Sequence, residues 1–194
     1  MNSILEEDIK NIADSKLVNW EEFNNKSILI TGATGLICSI MIKAFCKKKL
    51  NLKMYLLVRN KENAKQMYGE NENIEYIESS IENFNVEDIK VDYIIHAASP
   101  TKSKFFVEKP VETLNTAVLG TKNILEFAKN IGIKSMVYLS SMEMYGTMND
   151  ENVTEEKLGY INTLNVRSSY SEGKRVCELY CYSYQKEYGV PVKI

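Results

Sequence analysis

The sequence predicts a doubly wound α/β fold, a parallel sheet covered by helices on both faces. Three observations predict it. Runs of apolar and β-branched residues recur at 27–31 (SILIT), 53–58 (KMYLLV), 74–77, 91–96 (VDYIIH) and 134–140 (KSMVYLS). They are apolar almost throughout instead of alternating, the pattern of strands buried on both faces. Stretches with apolar residues three and four apart lie between them, so strand alternates with helix. The first run ends in glycines, Thr31-Gly32-Ala33-Thr34-Gly35, where a strand would hand over to a helix.

The elements follow in order. Residues 3–18 carry Leu5, Ile9, Ile12 and Ala13 at helical spacing and read as a helix within an N-terminal helical extension, 1–26. Trp20 is expected to pin that extension to the domain. After strand one, Ile37, Ile40, Met41, Ala44 and Phe45 mark one side of a helix that ends in Lys47-Lys48-Lys49, cations suited to a helix carboxyl end. A short polar helix is expected near 61–67, before strand three. A long helix is expected over 110–131, with Leu114, Val118, Leu125 and Ala128 facing inward, joined by Ile124, Phe127 and Ile131. A polar loop over 146–165 separates strand five from a last helix, 169–188, and 190–194 (VPVKI) opens a sixth strand. The domain proper is therefore 27–194.

Composition narrows the function. The 194 residues carry 24 basic and 26 acidic side chains, a net charge of −2, which gives no basic footprint for nucleic acid. No apolar stretch reaches membrane-spanning length, and MNSILEEDIK is too acidic for a secretory signal. Four cysteines (Cys38, Cys46, Cys177 and Cys181) form no CxxC pair, and His96 is the sole histidine. The expectations are no metal site, a cytoplasmic location, and Cys177 and Cys181 as buried small apolar residues. Met142, Met144 and Met148 read as packing or as an apolar wall. Tyr180, Tyr182, Tyr184 and Tyr188 read as core and subunit surface.

Three motifs carry chemistry. Glycine at Gly32 and Gly35 lets main chain approach a pyrophosphate, and the helix that follows offers unpaired N–H groups and a partial positive charge. A tight turn alone would also use glycine; the strand before it and the apolar helix after it favour a dinucleotide. Cys38 stands where a third small residue is usual. The second motif, Ser140-Ser141-Met142-Glu143-Met144-Tyr145-Gly146, closes strand five. The third is Tyr170-Ser171-Glu172-Gly173-Lys174 on the last helix. A spacing of four puts Tyr170 and Lys174 on one face, where an ammonium favours the phenolate that a general base needs.

Together TGATGLI, HAAS, GTKN, SSMEMYG and YSEGK resemble the extended short-chain dehydrogenase/reductase superfamily, in its NAD-dependent nucleotide-sugar epimerase/dehydratase branch. The stretch 167–175 (RSSYSEGKR) and Ala98-Ser99-Pro100 look most like UDP-glucuronate decarboxylases. The resemblance implies a Rossmann-like domain, and NAD held by Gly32, Thr34, Gly35, Leu36, Ile37, Ala97, Ala98 and Ser99, with Arg59, Ser80 and Ile81 toward the adenosine. It implies Tyr170 as the base on a sugar hydroxyl, Lys174 on the nicotinamide ribose, and Ser141 and Glu143 as catalytic partners. The implied reaction is oxidation at the sugar C4 followed by epimerisation or decarboxylation, in nucleotide-sugar or surface-polysaccharide biosynthesis. A homodimer is the implied assembly.

Departures from the family pattern shape the expectation. Met142 replaces the Asp with which 4,6-dehydratases expel water, which counts against dehydration. Arg59 replaces the acid that NAD-preferring members carry after strand two, which leaves NADP open. Ser80 and Ala117 replace an Asp and an Asn. Family members continue into a smaller substrate domain, and this sequence halts inside the sixth strand, as a fragment or a natural truncation would, so weak or absent turnover in isolation is expected. Two other readings stand beside the leading one: an NADP-dependent short-chain reductase, and a non-catalytic dinucleotide-binding module.

Overall fold

A computed structural model describes residues 3–86, 88–148 and 152–194. Helix α1 (Ser3–Ala13) precedes strand β1 (Lys26–Thr31), α2 (Leu36–Lys48), β2 (Leu52–Val58), α3 (Lys61–Tyr68) and β3 (Ile74–Glu78). Then come β4 (Tyr93–His96), α4 (Ser103–Glu108), α5 (Pro110–Ile131), β5 (Ser135–Tyr138), α6 (Ser168–Tyr188) and β6 (Val192–Lys193). The strands form one sheet in the order β3-β2-β1-β4-β5-β6, and every pairing is parallel.

Two cores sandwich this sheet, because successive strand residues point to opposite faces. Ile28 and Ile30 of β1 pack with Ile42 and Phe45 of α2, while Leu29 between them packs with Ile124 and Leu125 of α5 and Cys177 and Cys181 of α6. The chain order reverses between β1 and β4, which opens a crevice at their carboxyl ends, the usual ligand position in such sheets.

The helix in the N-terminal segment is shorter than expected. Ile9 and Ala13 of α1 meet Ala44 of α2. The helix stops at Ala13 instead of reaching Val18, because the chain turns there: the Ser15 hydroxyl accepts the Leu17 N–H, and the Ser15 carbonyl accepts the Trp20 indole N–H at 3.0 Å. The Trp20 ring stands edge-on to Phe45 at 5.7 Å, which ties the extension to the domain.

Two helical faces differ from expectation. In the first half of α5 the buried residues are Thr113, Ala117, Gly120 and Thr121, whereas Leu114 is exposed and Val118 half-buried. Small residues win that face because neighbours approach closely. A Cβ on Gly120 would lie 2.6 Å from Ile81 Cγ2, and one on Gly173 of α6 would lie 3.2 Å from Ala117 Cβ. In α2, Ile37 is exposed and Cys38 takes the inner position, its thiol reaching the Thr31 carbonyl at 3.7 Å. Helix α4 was not foreseen. A bridge between Thr147 and Tyr160 joins two points of the 146–165 loop; residues 149–151 of that loop lie outside the described residues.

Candidate active site

The glycine turn closes β1 against the end of β4. Gly32 has φ +69°, and a Cβ there would stand 2.8 Å from the Ala97 carbonyl carbon and oxygen, so only glycine fits. Gly35 begins α2, a 13-residue helix whose first turn has no acidic residue and no side-chain cap. Leu36 and Ile37 are 77% and 64% exposed there, apolar side chains left at the rim of the crevice. A bare helix start with outward N–H groups suits an anion such as a pyrophosphate, so the residues fit a dinucleotide.

Beneath the turn runs a buried polar relay. The Thr31 hydroxyl accepts the Ala97 and Ala98 N–H groups at 3.1 and 3.0 Å. Its own proton is thereby left for His96 Nδ1 at 2.7 Å, which assigns the ring proton to Nε2, donated to the Thr121 hydroxyl at 3.0 Å. His96 is fully buried, and desolvation, with the Lys174 charge adding to it, lowers its pKa to about 3. It stays neutral and, through the Thr31 hydroxyl, holds Ala97 and Ala98 in place.

The second half of the site gathers beyond β5. Ser141 starts a short 3₁₀ turn, Met142–Tyr145, and its hydroxyl accepts the Glu143 N–H at 3.3 Å. Glu143 is held by both guanidinium nitrogens of Arg167 at 2.8 and 2.9 Å and by the Ser171 hydroxyl at 3.1 Å. The Arg167 hydrogen bonds draw its pKa down, so at neutral pH it is an ionised acceptor and not a proton donor. Ser140 donates to Glu178 of α6, which holds strand five to that helix.

Tyr170 and Lys174 share a helical face, as their spacing implies. The Lys174 ammonium lies 6.0 Å from the Tyr170 ring centre and 4.7 Å from that of Tyr138. Its hydrogen bond goes to the Leu139 carbonyl at 2.7 Å. Lys174 is 3% exposed, and desolvation pushes its pKa down to about 8. The Tyr170 ring stacks on Phe106 of α4 at 4.3 Å with 6° between planes, and the Arg167 guanidinium also lies over Phe106, at 4.8 Å. A groove of about 410 Å³ borders this group, lined in part by Met142, Glu143, Tyr160, Asn162, Ser168 and Ser171.

The structure thus brings Ser141, Glu143, Tyr170 and Lys174 to one end of the sheet, and Gly32, Gly35, Ala97 and Ala98 to the adjacent crevice. Arg59 and Ser80 follow β2 and β3, farther along the same edge. The Ile81 side chain is buried under α5 against Gly120. Cys177 and Cys181 are fully buried. Among the described residues, no cluster of three His, Cys, Asp or Glu is placed to hold a metal. Arg167, Ser171 and Phe106 were missed as site residues. Arg167 and Ser171 fall in the stretch 167–175, where sequence pattern alone gives them no role; Phe106 sits on the short α4.

Residues 28–194 match the family described as NAD dependent epimerase/dehydratase. The chain belongs to that family. Among curated relatives of this epimerase/dehydratase chain, UDP-glucuronic acid decarboxylase 1 of Xenopus tropicalis is 34% identical over 89% of the chain and 41% of its own length. UDP-glucuronic acid decarboxylase 6 of Arabidopsis thaliana is 33% identical over 88% of the chain and 50% of its own length. The chain thus spans half or less of the curated relatives it matches. Among solved structures, an epimerase of Methanothermobacter thermautotrophicus superposes with TM-score 0.75 at 23% identity, covering 95% of this chain and 53% of the other. UDP-glucuronic acid 4-epimerase of Bacillus cereus in complex with NAD superposes with TM-score 0.67 at 24% identity, covering 86% and 54%. These two show the fold. Among the described residues, no helix is long and apolar enough to cross a membrane.

Proposed function

We propose that this chain is the cofactor-binding and proton-transfer part of a nicotinamide-dependent enzyme acting on a nucleotide sugar. The observation that carries the reading is the meeting of Tyr170, Lys174, Ser141 and Glu143 at the sheet edge beside the bare start of α2 and the Gly32 turn. Gly32, Thr34, Gly35, Leu36 and Ile37 would hold the pyrophosphate, and Ala97, Ala98 and Ser99 the path toward the nicotinamide. The bound nicotinamide supplies an acceptor for a hydride.

The side chains divide the remaining work. The Tyr170 oxygen takes the proton of a sugar hydroxyl, and the stacked Phe106 fixes the plane of its ring. The Lys174 ammonium is mostly protonated at neutral pH and stabilises negative charge on the phenol oxygen. Ser141 offers a hydroxyl to the same sugar oxygen. Glu143, kept ionised by Arg167, accepts hydrogen bonds from the sugar and repels a carboxylate placed against it. A ketone at C4 makes the bond to a C5 carboxylate labile, so a UDP-uronic acid is the substrate class that fits best with the decarboxylase relatives.

The exposed apolar residues Val111 and Leu119 of α5 and Val176, Leu179 and Tyr182 of α6 support a homodimer through these helices. Size-exclusion chromatography with light scattering checks that assembly. The enzymatic reading is tested by incubating the protein with oxidised nicotinamide cofactor and a panel of UDP-sugars and following the near-ultraviolet absorbance of reduced nicotinamide. A signal that Tyr170→Phe abolishes supports the reading. An equal signal in that variant removes Tyr170 as the base.

A further inference from the structure

Lys174 is a charge buried without a counter-ion. It is 3% exposed, yet among the described residues its ammonium pairs with no carboxylate. It meets instead the Leu139 carbonyl at 2.7 Å and the face of Tyr138, whose ring centre lies 4.7 Å from Nζ. We propose that Tyr138 is a positioning residue of the site, its ring face holding the charged Lys174 ammonium at the end of β5 beside Tyr170; this rests on the proton-transfer reading above.

The surrounding groups leave that work to the ring. The titratable groups facing the ammonium are Tyr170, Cys177, Glu178 and Cys181 on α6, Tyr138 on β5 and His96 on β4. Burial pushes the Cys177 and Cys181 thiols up, so both stay neutral, as His96 does. Glu178 accepts the Ser140 proton and forms no ion pair with Lys174. Tyr138 is itself 3% exposed, its hydroxyl is paired with the Cys177 thiol, and burial drives the phenol far above its ordinary range. It therefore presents a neutral ring and not a phenolate. The negative face of an aromatic ring attracts a cation, and more strongly where water is excluded. The strand register sets Tyr138 against His96, with 5.4 Å between ring centres, which fixes the ring under the ammonium.

NMR of protein labelled at lysine Cε tests this without substrate. The Lys174 signal, assigned by its loss in Lys174→Met, is followed through its titration. Tyr138→Leu should lower the Lys174 pKa by about one pH unit, a roughly tenfold smaller protonated fraction at a given pH above it. Tyr138→Phe keeps the face and should titrate with the wild type. A side chain that only filled space would act in the opposite direction: cutting it back admits water, and the ammonium titrates upward toward its ordinary 10.5. Pentafluorophenylalanine at position 138 keeps the shape and reverses the charge of the face, so it should lower the pKa even if the leucine variant does not fold. A Lys174 pKa unchanged or raised when the face is removed or reversed overturns the proposal. Where the wild type gives the nicotinamide signal with a UDP-sugar, the pH profile of that signal should move down with Lys174 in the pentafluorophenylalanine protein; a profile that stays in place removes the ring from the work of the site. No such signal in the wild type counts against the proton-transfer reading, and the titration alone still decides whether Tyr138 holds the charge.

Discussion

Replacing Lys174 with methionine should make the protein more stable at neutral pH while removing its chemistry. Lys174 is 3% exposed, and burial lowers its pKa from 10.5 to about 8. At about 1.4 kcal/mol per unit, a buried charge costs the fold about 3 kcal/mol when protonated. Methionine keeps the stem's volume and removes that cost, but it also leaves the Leu139 carbonyl without its 2.7 Å donor, a loss of about 1–2 kcal/mol. The net gain is about 1–2 kcal/mol, or an upward shift of about 2–8 °C in melting temperature for a chain of this size. The sign has a pH signature. Below about pH 8 both folded and unfolded chains hold the proton, so the cost is complete. Between there and pH 10.5 the folded wild type releases its proton first and gains stability. The advantage of Lys174→Met should therefore shrink and then reverse across that window in a series of thermal melts. A variant that is less stable than wild type at neutral pH, or a difference that does not change with pH, would refute the reasoning.

Three further predictions concern the relay, the turn and the carboxylate. Burial lowers the His96 pKa to about 3 from 6.5, so the unfolded chain takes up a proton that the folded one refuses, and stability should fall as pH drops below 6.5. Because His96 is the sole histidine, denaturant titrations between about pH 6.5 and 5 should lose most of that slope in His96→Gln; a flat wild-type profile there would contradict the assignment. Gly32→Ala should cost about 2 kcal/mol or more, since its φ is +69° and the new Cβ meets the Ala97 carbonyl at 2.8 Å; an unchanged melting temperature would argue against that geometry. Arg167→Lys should let the Glu143 carboxyl titrate closer to its ordinary 4.5, followed by NMR of labelled glutamate, because a single ammonium cannot replace two parallel hydrogen bonds.

The parts of the fold legible in the sequence are those governed by periodicity. The strands and α5 were visible because burial on two faces imposes continuous apolar runs, and burial on one face imposes three-and-four spacing. The inward face of α5 was misjudged at Leu114 and Val118 because the deciding factor was how closely Ile81 and Gly173 approach Gly120 and Ala117. Such contacts join residues about forty to sixty positions apart and leave no local pattern. The same holds for the site. The spacing of Tyr170 and Lys174 put both on one helical face, but the bond from Lys174 to the Leu139 carbonyl depends on how α6 meets the end of β5. The clamp of Arg167 and Ser171 on Glu143 was hidden because an exposed-looking arginine and serine acquire a role only when the turn after β5 folds against α6. Helix α4 escaped notice because six residues with two aromatic side chains give no usable period.

The most direct measurement of the central claim is a crystal structure of this protein with a bound nicotinamide dinucleotide. The account predicts the pyrophosphate on the first-turn N–H groups of α2 and the nicotinamide ring facing Lys174 and Tyr170. A dinucleotide seated instead in the separate cavity of about 740 Å³ lined by Phe84, Ile89, Asn123 and Phe127, or a ring turned away from the Tyr170 phenol, would contradict it.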